Sequence, residues 1–152
     1  MDLAVLSLVT ITLDKVSQRW SELVDFLRLL LEGDNSLLDP IRHDHLLFDN
    51  EDFSKSREYF WAINCLTEFE ASISANIEQW EEFRRSLKTP EVLDQARIKS
   101  PPISGEGSLI ELLERSDGYC ARLKRHQRFF QDKRTATIAL RDGVRTFIWF
   151  CQ

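Results

Sequence analysis

The stretch Phe48-Asp-Asn-Glu-Asp-Phe-Ser-Lys-Ser-Arg-Glu-Tyr-Phe-Trp-Ala-Ile-Asn-Cys-Leu-Thr-Glu-Phe-Glu70, continued to Leu87, decides the fold class. Phe60, Ile63, Leu66, Phe69, Ile73, Ile77, Trp80 and Phe83 recur three or four residues apart. That spacing puts them on one slowly turning face of an α-helix and is incompatible with the period of two of a half-buried strand. The start carries its own signals. Asp49 is placed to act as N-cap, Asp52 to complete a capping box, and Phe48 and Phe53 to form a hydrophobic staple. Thr89-Pro90 ends the pattern, because proline cannot continue the hydrogen-bond ladder. The expected helix spans about 49–88, and its apolar face requires helical partners.

Those partners lie on either side. Towards the N-terminus, Leu6, Val9, Leu13, Val16, Trp20, Leu23, Leu27 and Leu30 alternate spacings of three and four, predicting a helix over about 3–32 with a heptad seam. Gly33-Asp-Asn-Ser36 closes it with turn-forming residues. The opening Leu3–Leu13 run has the apolar character of a signal-peptide core. It follows Asp2 instead of a basic residue, however, lacks a small-residue cleavage site, and falls short of the ~20 residues needed to span a bilayer.

Towards the C-terminus, Ser108-Leu-Ile-Glu111 reads as a capping box with Ser108 as N-cap. The seam that follows is Leu109, Leu112, Ser116, Tyr119, Leu123, His126, Phe130, Lys133, Thr137, Leu140 and Val144, giving a helix over about 108–150. Its polar members predict either partial exposure or a role in fixing register. Pro90 begins a short helix expected over about 90–98, and Ile103-Ser-Gly-Glu-Gly107 reads as a linker. The expectation is all-α: a single domain, 1–152, forming an elongated antiparallel three-helix bundle with one short extra helix.

Composition bounds the function. Five glycines and four prolines among 152 residues, with 30% charged residues, fit an ordered helical protein. The net charge of −5 argues against a generic nucleic-acid binder. The charge is asymmetric: nine acids oppose four bases over 1–50 and eleven oppose seven over 51–107, whereas nine bases oppose five acids over 108–152. A basic last helix lying along acidic neighbours accounts for this. Cys65, Cys120 and Cys151 show no zinc-type spacing; Cys65 and Cys120 read as small apolar residues in a reducing, cytoplasmic setting.

The chemistry-bearing candidates are few. His43-Asp44-His45, with Asp49 and Asp52 nearby, supplies imidazole and carboxylate ligand types without a diagnostic metal spacing, so no metal set is assigned. Gly105-Glu-Gly107 follows no strand and precedes no Lys-Ser/Thr, so it is not a phosphate loop. His126 is isolated within a seam, and Glu78 and Glu82 form a solvated flank. No nucleophile–base arrangement, dinucleotide loop or metalloprotease motif occurs, so the chain reads as non-enzymatic and without a cofactor.

Leu46–Glu70 and Asn76–Trp80, with the block Phe53-Ser-Lys-Ser-Arg-Glu-Tyr-Phe-Trp61 at their centre, resemble the cytosolic region of fungal proteins similar to CorA magnesium transporters. Lys133-Arg-Thr-Ala-Thr-Ile-Ala-Leu-Arg-Asp-Gly143 is similar to the part of those proteins where a long helix approaches the membrane. The resemblance implies a cytosolic helical stalk, homo-oligomeric assembly and a pore formed by two transmembrane helices. Magnesium enters through the resemblance alone. After Gly143 the sequence runs Val-Arg-Thr-Phe-Ile-Trp-Phe-Cys-Gln152, with no ~20-residue apolar span. The family's Gly-Met-Asn signature is absent from these 152 residues. The expectation is therefore a stalk-like domain truncated before the membrane helices, with a stand-alone helix-bundle module for protein interaction as the alternative.

Overall fold

The structure is a computed structural model that describes residues 3–32, 53–87 and 106–150, with side-chain surroundings for 3–31, 53–87 and 109–143. It contains three α-helices: α1 (Leu3–Glu32), α2 (Ser54–Ser86) and α3 (Glu106–Phe150). They hold 30, 33 and 45 residues, or roughly 45, 50 and 68 Å at ~1.5 Å per residue. No strand occurs among the described residues, and α3 packs against both α1 and α2. The all-α bundle expected from the seams is the architecture observed. The short helix expected over 90–98 and the histidine-containing connection lie outside the described residues.

Two helix starts differ from the sequence expectation. Phe53 has φ 53°, in the left-handed region, so a right-handed helix cannot run through it. Its carbonyl accepts the Arg57 N–H at 3.1 Å, which makes Phe53 the cap position and Ser54 the first helical residue. The expected cap, Asp49, lies outside the described residues. On α3 the helix begins at Glu106, two residues before the expected cap, so Ser108 belongs to the first turn. Glu106 and Gly107, read as linker, are helical.

The end of α2 is well built. Arg84 and Arg85 occupy the last turn, where the dipole favours cations, and Phe83 O accepts both Leu87 N–H at 3.2 Å and Ser86 Oγ at 2.6 Å.

The chain forms two compact units, each taking a segment of every helix. The first comprises 1–21 and 73–125, the second 22–72 and 126–152. In the first unit, the core gathers Leu6 and Leu13 from α1, Ile73, Ile77 and Trp80 from α2, and Cys120 and Leu123 from α3. α2 and α3 are antiparallel there, since Arg84 meets Asp117 while the earlier Glu81 meets the later Lys124. In the second unit, the core holds Val24, Leu27 and Leu31 from α1, Tyr59, Ala62 and Leu66 from α2, and Phe130 and Leu140 from α3. Phe130 stacks obliquely on Phe69 at 5.7 Å and edge-on to Phe129 at the same distance, geometries that suit the ring quadrupole.

The buried polar residues are handled within the seams. Thr10 Oγ1 bonds to Leu6 O at 2.8 Å, and with its only proton committed there it accepts from Ser116 Oγ at 2.9 Å. This links α1 to α3 inside a core in which Ser116 is fully buried. Thr137, also fully buried, donates to Lys133 O at 2.7 Å. Of the polar seam residues expected to be either partly exposed or used to fix register, Ser116 and Thr137 are thus buried and hydrogen-bonded, and His126 and Lys133 are half-buried.

Candidate interaction surface

Of the residues assigned to the central seam, Leu66, Ile73, Ile77 and Trp80 are buried, and Ile63, Phe69 and Phe83 are half-buried. Phe60 is 62% exposed and does not belong to the seam. The physical reason is one of register: Tyr59, Ala62, Leu66, Phe69 and Ile73 also follow a 3,4 spacing, and that row is the one turned inward, with Tyr59 and Ala62 buried. Choosing Phe60 over Tyr59 on hydrophobicity alone displaces the first turns by one residue, about 100° around the helix. A similar correction applies at the end of α1, where Leu30 is exposed and Leu31 buried.

The displaced residues form surfaces. In the first unit, Val5, Leu8 and Ile11 of α1 are exposed, Val5 on the flank and Leu8 and Ile11 on the side of the helix away from the buried Leu6, Thr10, Leu13 and Ser17. The segment Leu3–Leu13 contains no charged residue, so this end of α1 is apolar on its packed and its open side alike. In the second unit, Phe26, Leu29 and Leu30 of α1 are exposed, with Leu29 at 78%, and Phe60 and Trp61 of α2 are exposed as well. Clusters of large exposed apolar side chains of this kind mark sites of association more than single exposed residues do.

A second feature is an open groove of about 430 Å³ in the first unit, lined by Trp80, Glu81, Arg84, Arg85, Asp117, Cys120, Ala121 and Lys124. Four of its five charged side chains are paired with one another. Arg84 pairs with Asp117 at 2.7 Å, Trp80 Nε1 donates to the same carboxylate at 3.2 Å, and Lys124 donates to Glu81 at 2.6 Å. The Lys124 hydrogen bond and charge hold the Glu81 carboxyl below its ordinary value of 4.5. Burial pushes the Cys120 thiol above its ordinary 9.0, which keeps it protonated and poorly nucleophilic at neutral pH. The groove thus holds two interhelical ion pairs and an inert thiol, an arrangement that clamps α2 to α3 and provides no nucleophile or base for chemistry.

In the second unit, Glu70 accepts from Gln131 Nε2 at 2.9 Å and lies 2.9 Å from Arg134 Nε as an ion pair without hydrogen-bond alignment. Arg28 of α1 and Lys133 of α3 stand 5.4 and 5.7 Å from the centroid of the Phe129 ring, within cation–π range. The acid-to-base complementarity read from the sequence is realised here and in the groove: Glu70 and Glu81 of α2 meet Arg134 and Lys124 of α3.

Among the described residues no three His, Cys, Asp or Glu side chains converge on a common point. The candidate ligands His43, Asp44, His45, Asp49 and Asp52 lie outside the described residues. No helix among the described residues is long and apolar enough to cross a membrane. A scan against protein-family models, a search of curated proteins and a search of solved structures each return no significant match for this chain.

Proposed function

We propose that the chain is a non-enzymatic assembly module: a helical bundle that self-associates through the outer face of α1. The observation that carries this reading is the row of large apolar residues facing away from the core, with Leu8 and Ile11 in the first unit and Phe26 and Leu29 in the second, all of them exposed. A helix that is apolar on the side turned away from its own bundle gains free energy by covering that side, at roughly 25 cal/mol per Å² of apolar surface removed from water. The matched charges of the α2–α3 groove support the same reading, because they stabilise the bundle and leave no reacting group poised. Light scattering on the purified chain from about 1 to 100 μM tests the proposal over the range of ordinary protein associations. A mass rising to a multiple of 17.8 kDa supports it. A mass of 17.8 kDa at every concentration contradicts it.

A second reading, the cytosolic stalk of a CorA-like magnesium transporter, is favoured by the Phe53–Trp61 block. Under that reading the bundle would lie on the cytoplasmic side of a membrane, next to the pore-forming helices, without the antiparallel contact of α1 proposed below. Sequencing the transcript beyond the codon for Gln152 tests it: two apolar spans with Gly-Met-Asn support a transporter, and an immediate stop codon opposes it.

A further inference from the structure

The outer face of α1 has an internal symmetry that names its partner. Taken along the helix, the exposed positions Leu8, Ile11, Lys15, Gln18, Arg19, Glu22, Phe26 and Leu29 fall within one stripe, about 100° wide at 100° per residue. All eight are on α1, a single helix from Leu3 to Glu32, so their spacing is a property of that helix alone. Their order is apolar, apolar, basic, polar, then basic, acidic, apolar, apolar.

Reversing a second copy about the point between Gln18 and Arg19 sets Leu8 opposite Leu29, Ile11 opposite Phe26, and Lys15 opposite Glu22. We propose that two copies of this chain associate through an antiparallel, two-fold contact of α1 against α1 in this register. This inference rests on the assembly reading above and deepens it by specifying the partner, its direction and its alignment.

Charge selects the direction. A parallel arrangement of two copies in register would place Lys15 against Lys15, Arg19 against Arg19 and Glu22 against Glu22, three like-charge contacts. The antiparallel arrangement sets Lys15 against Glu22 and Arg19 against the neutral Gln18, and two-fold symmetry makes the Lys15–Glu22 pair occur twice. Hydrophobicity selects the alignment: with 65% of Leu8, 54% of Ile11, 61% of Phe26 and 78% of Leu29 exposed, this register covers apolar residues with apolar residues at both ends. Glu22 also interacts within its own chain, and a carboxylate retains acceptor capacity for a second cation.

The test is a charge exchange read by sedimentation equilibrium on the full chain, with circular dichroism verifying helix content. Lys15→Glu and Glu22→Lys each create like-charge contacts across the two-fold axis and are expected to weaken self-association by at least about tenfold. The double variant Lys15→Glu/Glu22→Lys restores opposite charges and is expected to return to within about threefold of the wild type. Leu29→Asp, at an exposed position that leaves the bundle intact, is expected to weaken association as strongly as either charge reversal. Single reversals that leave association unchanged, or a double variant as weak as the singles, overturn the register while a self-associating wild type keeps the assembly reading. A wild type that is monomeric throughout overturns both.

Discussion

Ser17 shows how a single hydroxyl enters the balance of the bundle. Its side chain is fully buried on the inner face of α1, and its Oγ has no hydrogen-bond partner among the described residues. Burying an unpaired hydroxyl costs on the order of 1–3 kcal/mol, whereas a methyl group at that place carries no such penalty. Ser17→Ala is therefore expected to stabilise the chain by about 1 kcal/mol, seen as a higher melting temperature. An unchanged or lower melting temperature would mean that this hydroxyl finds a partner. The Glu81–Lys124 pair acts in the opposite direction and with pH. A carboxyl held below its ordinary value stabilises the fold at pH above 4.5, and that contribution is lost as the pH falls through its lowered folded value. Both side chains are nearly half exposed, so the contribution is at most about 1 kcal/mol. Lys124→Met should lower thermal stability at pH 7 and make no difference near pH 2; an equal deficit at both would assign the effect to packing.

At the scale of the element, the helices themselves were legible because periodicity is a strong signal over 30 or more residues. What was not legible was which of two adjacent rows turns inward. On α2, Tyr59-Phe60 offers two aromatic residues, and only tertiary packing decides that Tyr59 is buried and Phe60 is not. On α1, the doubled leucines Leu30-Leu31 pose the same ambiguity. Helix starts are less legible, because capping signals are local preferences: the described helices begin at Ser54, after the left-handed Phe53, and at Glu106. The inward row makes a prediction. Leu66 is 2% exposed, so Leu66→Asp buries an unpaired charge and should destabilise by about 3 kcal/mol or more, whereas Phe60→Ser should change stability by less than about 0.5 kcal/mol. Urea denaturation of both variants checks this; comparable losses would mean that Phe60 contributes to the core.

For the whole molecule, the sequence made the all-α class and the complementary charges of the last two helices readable, since both follow from patterns of residues near one another in the chain. The proposed assembly surface is not readable in the same way. Leu8, Ile11, Phe26 and Leu29 are scattered among inward-facing leucines and valines, and in a helix this rich in apolar residues the second stripe appears only once the first has been assigned to α3. Under the proposed assembly, stability and association are separable properties: the inward stripe would determine whether the bundle forms, the outward stripe whether copies meet.

Hydroxyl-radical footprinting of the chain at about 1 and 100 μM, with oxidation resolved residue by residue, tests that separation most directly, because it reads the outer stripe in the intact protein. The account predicts that oxidation of Leu8, Ile11, Phe26 and Leu29 falls at the higher concentration while that of the already buried Leu66 stays low at both. Equal oxidation of those four residues at the two concentrations would contradict it.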